Sequence, residues 1–319
     1  MNKRKKSAVV GLGSIGMNYD YDANDDNLIL THCKAFKEHP DFSLVAGVDI
    51  SDSQRKLFEK KYKVKSYDTV SSLLSNEKLD VVSIAVPSAY HLAIFDEVIQ
   101  KGITNILCEK PMGSNYSLSK EIFEKSKKFN INTTINYIRR FDPAIQNLKN
   151  WLEEGNIGEI KKIHVWYSGD LMTNASHYID LILFLLDDEL SVRKVIQTNT
   201  VQKGDFTMVF DNGMLAFFNS LPSIDYEHLV CDILGSKGRI KIDNKKNAIE
   251  HQGVEPNSIF PDYMNLGKKS ILFKTSLTKY QYYVLDELIS SIKNDNLSIS
   301  NYQTAFETSK VLNMLKMQE

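Results

Sequence analysis

Short apolar runs alternate with amphipathic stretches over the first 137 residues, and this rhythm predicts strands and helices in turn. The runs Lys6 to Val10, Ser43 to Val48, Lys63 to Ser66, Asp80 to Val86, Ile103 to Cys108 and Ile131 to Ile135 read as buried strands of a parallel sheet. Ser51 to Lys61 reads as a helix between the second and third strands, with Ser51, Asp52 and Ser53 as capable N-caps. After Arg140 the rhythm changes. Lys161 to Ser168, Val192 to Val201, Asp205 to Phe210, Met214 to Ser220, Leu229 to Leu234 and Arg239 to Ile242 read as successive strands, with hairpin turns at Asp211-Asn212-Gly213 and Ser236-Lys237-Gly238. Helices are expected in this half over Ser176 to Leu186 and Lys279 to Lys293, and a last one over Tyr302 to Met317. The pattern gives an α/β protein. Residues 1–137 are expected to form a parallel α/β domain with right-handed crossovers, and residues 138–319 an α/β domain around an open, largely antiparallel sheet.

Trp151 and Trp166 lie at amphipathic positions and are expected in the core. Tyr282-Tyr283 with Leu285, Leu288 and Ile289 are expected to line a buried helix face.

The punctuation of the first domain carries chemistry. Gly11-Leu12-Gly13-Ser14-Ile15-Gly16 follows the first strand directly. Gly11 allows the tight turn, Gly13 lets a pyrophosphate approach the backbone, and Gly16 lets the next helix pack on the strand. An acidic residue is expected about 20 residues further on, where it meets the adenosine ribose. Asp49, at the end of the second strand, takes that role at a longer distance because Asn18 to Leu30, rich in Asp and Asn, has the look of an insertion. A carboxylate there accepts from both ribose hydroxyls and repels a 2′-phosphate, so NAD is expected over NADP. Arg55 is expected as a surface residue of the following helix.

The second chemical signal is Glu109-Lys110-Pro111, at the end of the fifth strand. Removing a hydride from a secondary alcohol carbon requires that the hydroxyl proton leave as well, which calls for a base beside the carbinol oxygen. Lys110 is the candidate. A lysine acts as a base near neutrality only if burial or a neighbouring positive charge lowers its pKa, and Glu109 pulls the other way. His177, with Asp180 three positions on, is the candidate partner in proton transfer.

Composition removes several other classes. The chain has 319 residues and a formal net charge of −1, which gives no electrostatic basis for binding nucleic acid or an anionic membrane. Its three cysteines are far apart and suit a reducing compartment, so a cytoplasmic location is expected. No apolar run is long enough for a membrane span. Asp20 to Asp26 imitates the start of a calcium loop, but Asp25 stands where the turn needs glycine and Thr31 where it needs a bidentate glutamate, so no metal is assigned.

Taken in order, the glycine turn, Val86-Pro87 with His91, Glu109-Lys110-Pro111, Arg139-Arg140-Phe141-Asp142-Pro143 and Ser176-His177-Tyr178-Ile179-Asp180 resemble the glucose-fructose oxidoreductase, inositol dehydrogenase and MocA family. The resemblance implies an NAD-binding Rossmann domain over residues 1–137, a substrate-binding and oligomerisation domain over residues 138–319 whose sheet forms a homodimer or homotetramer, and NAD(P)-dependent oxidation or reduction of sugars, inositols and related polyols. It places Gly11, Gly13, Ser14, Ile15, Gly16, Asp49, Val86, Pro87, His91, Glu109 and Lys110 on the cofactor. Lys110, Tyr137, Arg139, Thr173, Asn174 and His177 are placed on the substrate, with Arg139 or Arg140 able to grip a phosphate. One departure stands out: many members carry Asp four residues before the histidine, and here that residue is Thr173. The loop before His177 is also short, which suits a substrate longer than a free hexose. Together with the insertion and Thr31-His32, it resembles the oxidoreductases of surface-polysaccharide clusters. The expected substrate is a nucleotide-linked sugar. Inositol, a free sugar, and a catalytically silent NAD-sensing or scaffold role are the alternatives.

Overall fold

The computed structural model describes residues 3–186, 190–198 and 204–317. The chain divides into two compact units, residues 1–141 with 278–309 and residues 142–277 with 310–319.

The first unit is a doubly wound sheet. Its elements are β1 (Lys5–Val10), α1 (His32–Glu38), β2 (Phe42–Val48), α2 (Asp52–Tyr62), β3 (Lys65–Tyr67), α3 (Val70–Asn76), β4 (Val81–Ile84), α4 (His91–Gln100), β5 (Asn105–Cys108), α5 (Tyr116–Lys128) and β6 (Asn132–Ile135). Every pairing is parallel, in the order β3-β2-β1-β4-β5-β6. The order reverses between β1 and β4, and sheets of this kind take their ligands in the crevice at that point. Alternate residues of β1 feed two cores. Val9 packs with Leu12, Phe36, Phe42 and Phe58 on one face, whereas Ala8 and Val10 pack with Ile84, Phe95, Ile106 and Ile122 on the other.

The helix expected after Gly16 is displaced. Residues 13 to 19 make one helical turn, in which Met17 N–H donates to the Gly13 carbonyl at 2.8 Å and Tyr19 N–H to that of Ser14 at 3.0 Å. The chain then leaves as the insertion, which begins with the short 3-10 turn Asn18–Asp20, and re-enters at α1. There His32 N–H donates to the Ile15 carbonyl at 3.2 Å and Cys33 N–H to that of Gly16 at 3.0 Å, so α1 satisfies carbonyls that an unbroken helix would have used itself. The buried Asp20 side chain closes the excursion by accepting from the backbone of Leu30 and Thr31 and from the Thr31 hydroxyl.

The helix expected over Lys279 to Lys293 forms as α8 (Tyr280–Asn294), but it belongs to the first unit and not to the second half. Val284, Leu285, Leu288 and Ile289 are buried against the core of Val9, Phe36 and Phe42, filling the layer beside α1.

The second unit holds α6 (Pro143–Glu153), β7 (Ile160–Ser168), α7 (Ser176–Leu185), β8 (Val192–Gln197), β9 (Phe206–Phe210), β10 (Leu215–Leu221), β11 (Leu229–Gly235), β12 (Gly238–Asp243), β13 (Ala248–Pro256), β14 (Met264–Leu266) and β15 (Ser270–Lys274). The sheet order is β14-β13-β12-β11-β7-β10-β9-β8, with β15 on β13, and only β10 with β7 is parallel. Residues 199–201 of the strand expected over Val192 to Val201 lie outside the described residues. β13, β14 and β15 were not legible in the pattern because polar or exposed residues fill most of their positions. Helix α9 (Tyr302–Lys316) ends the described chain.

One face of this sheet is covered by α6 and α7, through Leu148, Leu152, Ile179 and Ile182 against Ile163, Val165, Phe218 and Ile233. Among the described residues of this unit the other face carries no helix and is open. Trp166, expected in the core, is half-buried on the open face with its ring 4.9 Å from that of His164. The strand period of two decides this, because the buried neighbours Val165 and Tyr167 take the helix side. Trp151, on α6, packs against the core from a half-buried position.

Candidate active site

The site is built on the carboxyl ends of five strands of the first unit, where Gly11, Asp49, Val86, Glu109 and Asn136 follow β1, β2, β4, β5 and β6. The glycine turn separates packing from binding. A Cβ on Gly11 (φ +96°) would stand 2.4 Å from the Ala85 carbonyl oxygen, and one on Gly16 would stand 1.9 Å from the Gly11 carbonyl oxygen. Both positions are closed by the protein itself. A Cβ on Gly13 would meet nothing within 4 Å, so its bare backbone leaves room for something other than protein. Ser14 is exposed and Ile15 half-buried on the same turn. Room in front of Gly13, exposed turn residues and a carboxylate at the end of β2 fit a dinucleotide pyrophosphate and ribose.

Asp49 is tied to that turn. Its Oδ2 accepts from Leu12 N–H at 2.8 Å and its Oδ1 from Ser51 N–H at 2.8 Å. Arg55 is not a free surface residue: its guanidinium donates to the carbonyls of Asp49 at 2.8 Å and Ile50 at 3.1 Å and so stiffens the loop bearing the carboxylate.

Val86 is half-buried and Pro87 exposed beyond β4, with Val86 Cγ1 packed against Gly11, 2.8 Å from where a Cβ on that glycine would stand. His91 is fully buried. Its Nε2 donates to the Val86 carbonyl at 2.8 Å, and its Nδ1 lies 3.4 Å from the sulfur of Cys108 and 3.2 Å from the Met112 carbonyl. Burial pushes the Cys108 thiol well up, so it stays protonated and can donate to Nδ1, while burial lowers the pKa of His91 itself. The ring thus ties the end of β4 to the turn after β5.

Glu109 is the hub of that turn. Its carboxylate is buried; Oε1 accepts from His32 Nε2 at 2.9 Å and from Asn136 Nδ2 at 2.5 Å, and Oε2 accepts from Lys110 N–H at 3.2 Å. Burial alone would raise its pKa, but the bonds from His32 and Asn136 and the nearby Lys110 charge outweigh this and hold it below the usual carboxylate range. The imidazole is fixed at its far side by Ser83 Oγ, 2.8 Å from Nδ1. Lys110 is half-buried next to this hub, and the Lys110-Pro111 bond is cis.

His32, Ser83 and Asn136 were not found as site residues in the sequence. They come from α1, β4 and β6, and no spacing joins them to Glu109; only the fold does. Tyr137, Arg139 and Arg140 follow β6 and are buried, with Tyr137 in the core and Arg140 donating to the Ile299 carbonyl at 3.1 Å. Among the described residues no helix is long and apolar enough to cross a membrane, and no group of three His, Cys, Asp or Glu side chains could hold a metal.

In the second unit, residues Leu171–Ala175 form a π-helical turn that runs into α7. Such turns accommodate an extra residue within a helix. Asp170 caps it by accepting from Thr173 N–H at 2.7 Å, and Asn174 donates to the Ser168 carbonyl at 2.7 Å. Thr173 is exposed, His177 half-buried and Asp180 buried.

Residues 5–137 match the oxidoreductase family's NAD-binding Rossmann fold, and residues 161–318 match its C-terminal alpha/beta domain. The chain belongs to the Gfo/Idh/MocA oxidoreductase family. Among its relatives, myo-inositol 2-dehydrogenase of Thermotoga maritima is 24% identical over 314 residues, which cover 90% of this chain and 86% of that protein. Of solved structures, an oxidoreductase from Agrobacterium radiobacter in complex with NAD+, L-tartaric acid and magnesium aligns with a TM-score of 0.74 at 18% identity, over 97% of this chain and 94% of that one. UDP-N-acetylglucosamine 3-dehydrogenase from Acidithiobacillus ferrooxidans aligns with a TM-score of 0.74 at 14% identity, over 99% of each chain. Family membership makes this chain an NAD-binding oxidoreductase.

Proposed function

We propose that this protein interconverts a secondary alcohol and a ketone on a sugar ring, with Lys110 and His177 sharing the proton transfer. Bound NAD+ supplies the hydride acceptor. The observation that carries the reading is the position of Lys110, on the turn beyond β5, at the edge of the sheet where Gly11, Gly13 and Asp49 present the dinucleotide site. In the oxidative direction Lys110, as the neutral amine, takes the hydroxyl proton as the carbon–hydrogen bond breaks and the carbonyl forms. His177, at the start of α7, is the second group able to hold or pass that proton near neutral pH. Glu109, His91 and Asn136 hold the turns around Lys110 through their hydrogen bonds to the protein.

The preferred substrate is a nucleotide-linked sugar used in surface polysaccharide synthesis in the cytoplasm. Its support is the insertion Asn18 to Leu30 beside the phosphate turn and the short segment between Ser168 and His177; Thr173, where the family pattern has Asp, favours instead the catalytically silent NAD-sensing alternative. A structural neighbour acts on a UDP-linked sugar. Arg139 and Arg140 lend no support as phosphate ligands because both are buried, Arg140 against a backbone carbonyl. A cyclitol substrate is the second reading, favoured by the relative that is a myo-inositol 2-dehydrogenase.

The open face of the second-unit sheet is proposed to pair with another copy of the chain. Trp166, His164 and Phe217 cluster there, beside Ile196 and Val209 of the neighbouring strands.

The test of function follows NADH absorbance with UDP-, GDP- and CMP-linked sugars beside free sugars and inositols. Turnover of a nucleotide-linked sugar supports the preferred reading. Turnover confined to inositols moves the assignment to the second, and silence with every compound overturns both.

A further inference from the structure

A buried carboxylate beside a lysine that must lose its proton is a liability, since the negative charge favours the ammonium form. Here that carboxylate is placed and held. Oε1 of Glu109 takes two side-chain donors, His32 Nε2 and Asn136 Nδ2, while Oε2 accepts from the backbone N–H of Lys110. The imidazole is itself clamped by Ser83 Oγ at Nδ1 and lies 3.4 Å from the Gln281 amide. It has no exposure, so water does not compete for its bond.

The position of His32 follows from the insertion. Thr31 is the N-cap of α1, and its hydroxyl and N–H both donate to the buried Asp20 carboxylate. The loop that begins beside the phosphate turn is thereby latched one residue before His32, and the latch fixes where the imidazole meets Glu109.

We propose that His32 is a positioning residue for Lys110: by binding the Glu109 carboxylate on its Oε1 side, it keeps that charge from pairing with the lysine ammonium and so sets how readily Lys110 gives up a proton. The groups around Glu109 are His32 from α1, Cys108 at the end of β5, Lys110 from the same turn, His91 from α4 and Tyr280 from α8, with Asn136 after β6 as the second donor. His91 is kept neutral by burial, and the Cys108 thiol and Tyr280 phenol are both pushed up and stay protonated. Glu109 is therefore a charged neighbour that acts on Lys110, and His32 and Asn136 are the side chains that hold its Oε1.

The functional meaning of this arrangement rests on the assignment of Lys110 to proton transfer, but its test does not. Reductive methylation with 13C-formaldehyde turns every lysine amine of the full-length protein into a signal visible by NMR, and the signal lost in Lys110→Arg belongs to Lys110. Its titration midpoint is then read without substrate. Removing the imidazole in His32→Leu frees Glu109 for the ammonium, so the midpoint rises by about 1 pH unit. Glu109→Gln lowers it, and His32→Leu adds nothing further in the Glu109→Gln background. His32→Gln, which keeps an N–H donor, brings the midpoint back toward its original value, a rescue that packing alone would not give. Should the leucine variant fail to fold, His32→Asn, whose shorter amide stops short of Oε1, takes its place with the same expected rise. A midpoint that does not move, or moves equally with and without the Glu109 charge, overturns the proposal. Activity that survives Lys110→Ala would instead overturn the role of Lys110 and leave the electrostatic coupling standing.

Discussion

The backbone N–H of Leu12 donates to Oδ2 of Asp49 at 2.8 Å, which ties the glycine turn after β1 to the carboxylate after β2. One lone pair on each carboxylate oxygen is used by the protein, on Leu12 and on Ser51, and the others are left to accept from ribose hydroxyls. The carboxylate is thus oriented before any nucleotide arrives. Calorimetry is expected to show NADH bound more tightly than NADPH, and Asp49→Ser is expected to narrow the difference by weakening NADH. Tighter NADPH binding by the unaltered protein would contradict the assignment.

The three turn glycines should separate cleanly by effect. Gly13→Ala puts a methyl into open space, so its melting temperature should stay near that of the parent while NADH affinity falls at least about tenfold, an order set by losing one close backbone contact to phosphate. Gly16→Ala forces a methyl against the Gly11 carbonyl and should lose about 1–3 kcal/mol of stability. If Gly13→Ala unfolds the protein while keeping its nucleotide, the division of labour in the turn is wrong.

How far the site was legible in the sequence differs from element to element. The first sheet could be read because parallel strands buried on both faces leave continuous apolar runs, and the glycines, Asp49 and Lys110 sit at their ends. The displaced helix could not, since nothing in Asn18 to Leu30 says that α1 will cap the carbonyls of Ile15 and Gly16. The environment of Glu109 was equally hidden. His32 and Asn136 reach it from α1 and from the turn after β6, with Ser83 of β4 behind the imidazole, and a carboxylate beside a lysine reads as a local pair until the fold supplies nearer partners. The arginines show a related limit: a guanidinium after β6 offers the same residue type whether it meets a phosphate or a backbone carbonyl, and only the fold shows Arg140 donating to the carbonyl of Ile299.

Acidification should destabilise the protein in two steps. The pKa of His91 is lowered by burial, so its contribution is present above the unfolded value of about 6.5 and is lost as pH falls through the folded one. Glu109 is also held low, so its contribution is present above about pH 4.3 and disappears as pH falls further. Melting temperatures measured from pH 8 to pH 2 should stay level down to about pH 6.5, fall below it as His91 is protonated, and fall again below about pH 4.3 as Glu109 is protonated, and Glu109→Gln should cost about 2 kcal/mol at pH 7. A stability maximum below pH 5 would contradict both assignments.

Self-association through the open sheet face gives at least a dimer at micromolar concentration by light scattering. Trp166→Glu, which puts a charge at the centre of that face, should shift the mass to the monomer without unfolding the second unit. A monomer mass for the unaltered protein would remove the proposal.

The most direct measurement of the central claim compares turnover with nucleotide binding in Lys110→Ala. On a substrate found by the NADH assay, the account predicts a loss in kcat of at least about a hundredfold, with NADH affinity changed by less than about threefold, because the lysine acts at the reacting oxygen and not on the cofactor phosphates. Full turnover by Lys110→Ala, or a loss explained entirely by weaker NADH binding, would contradict it.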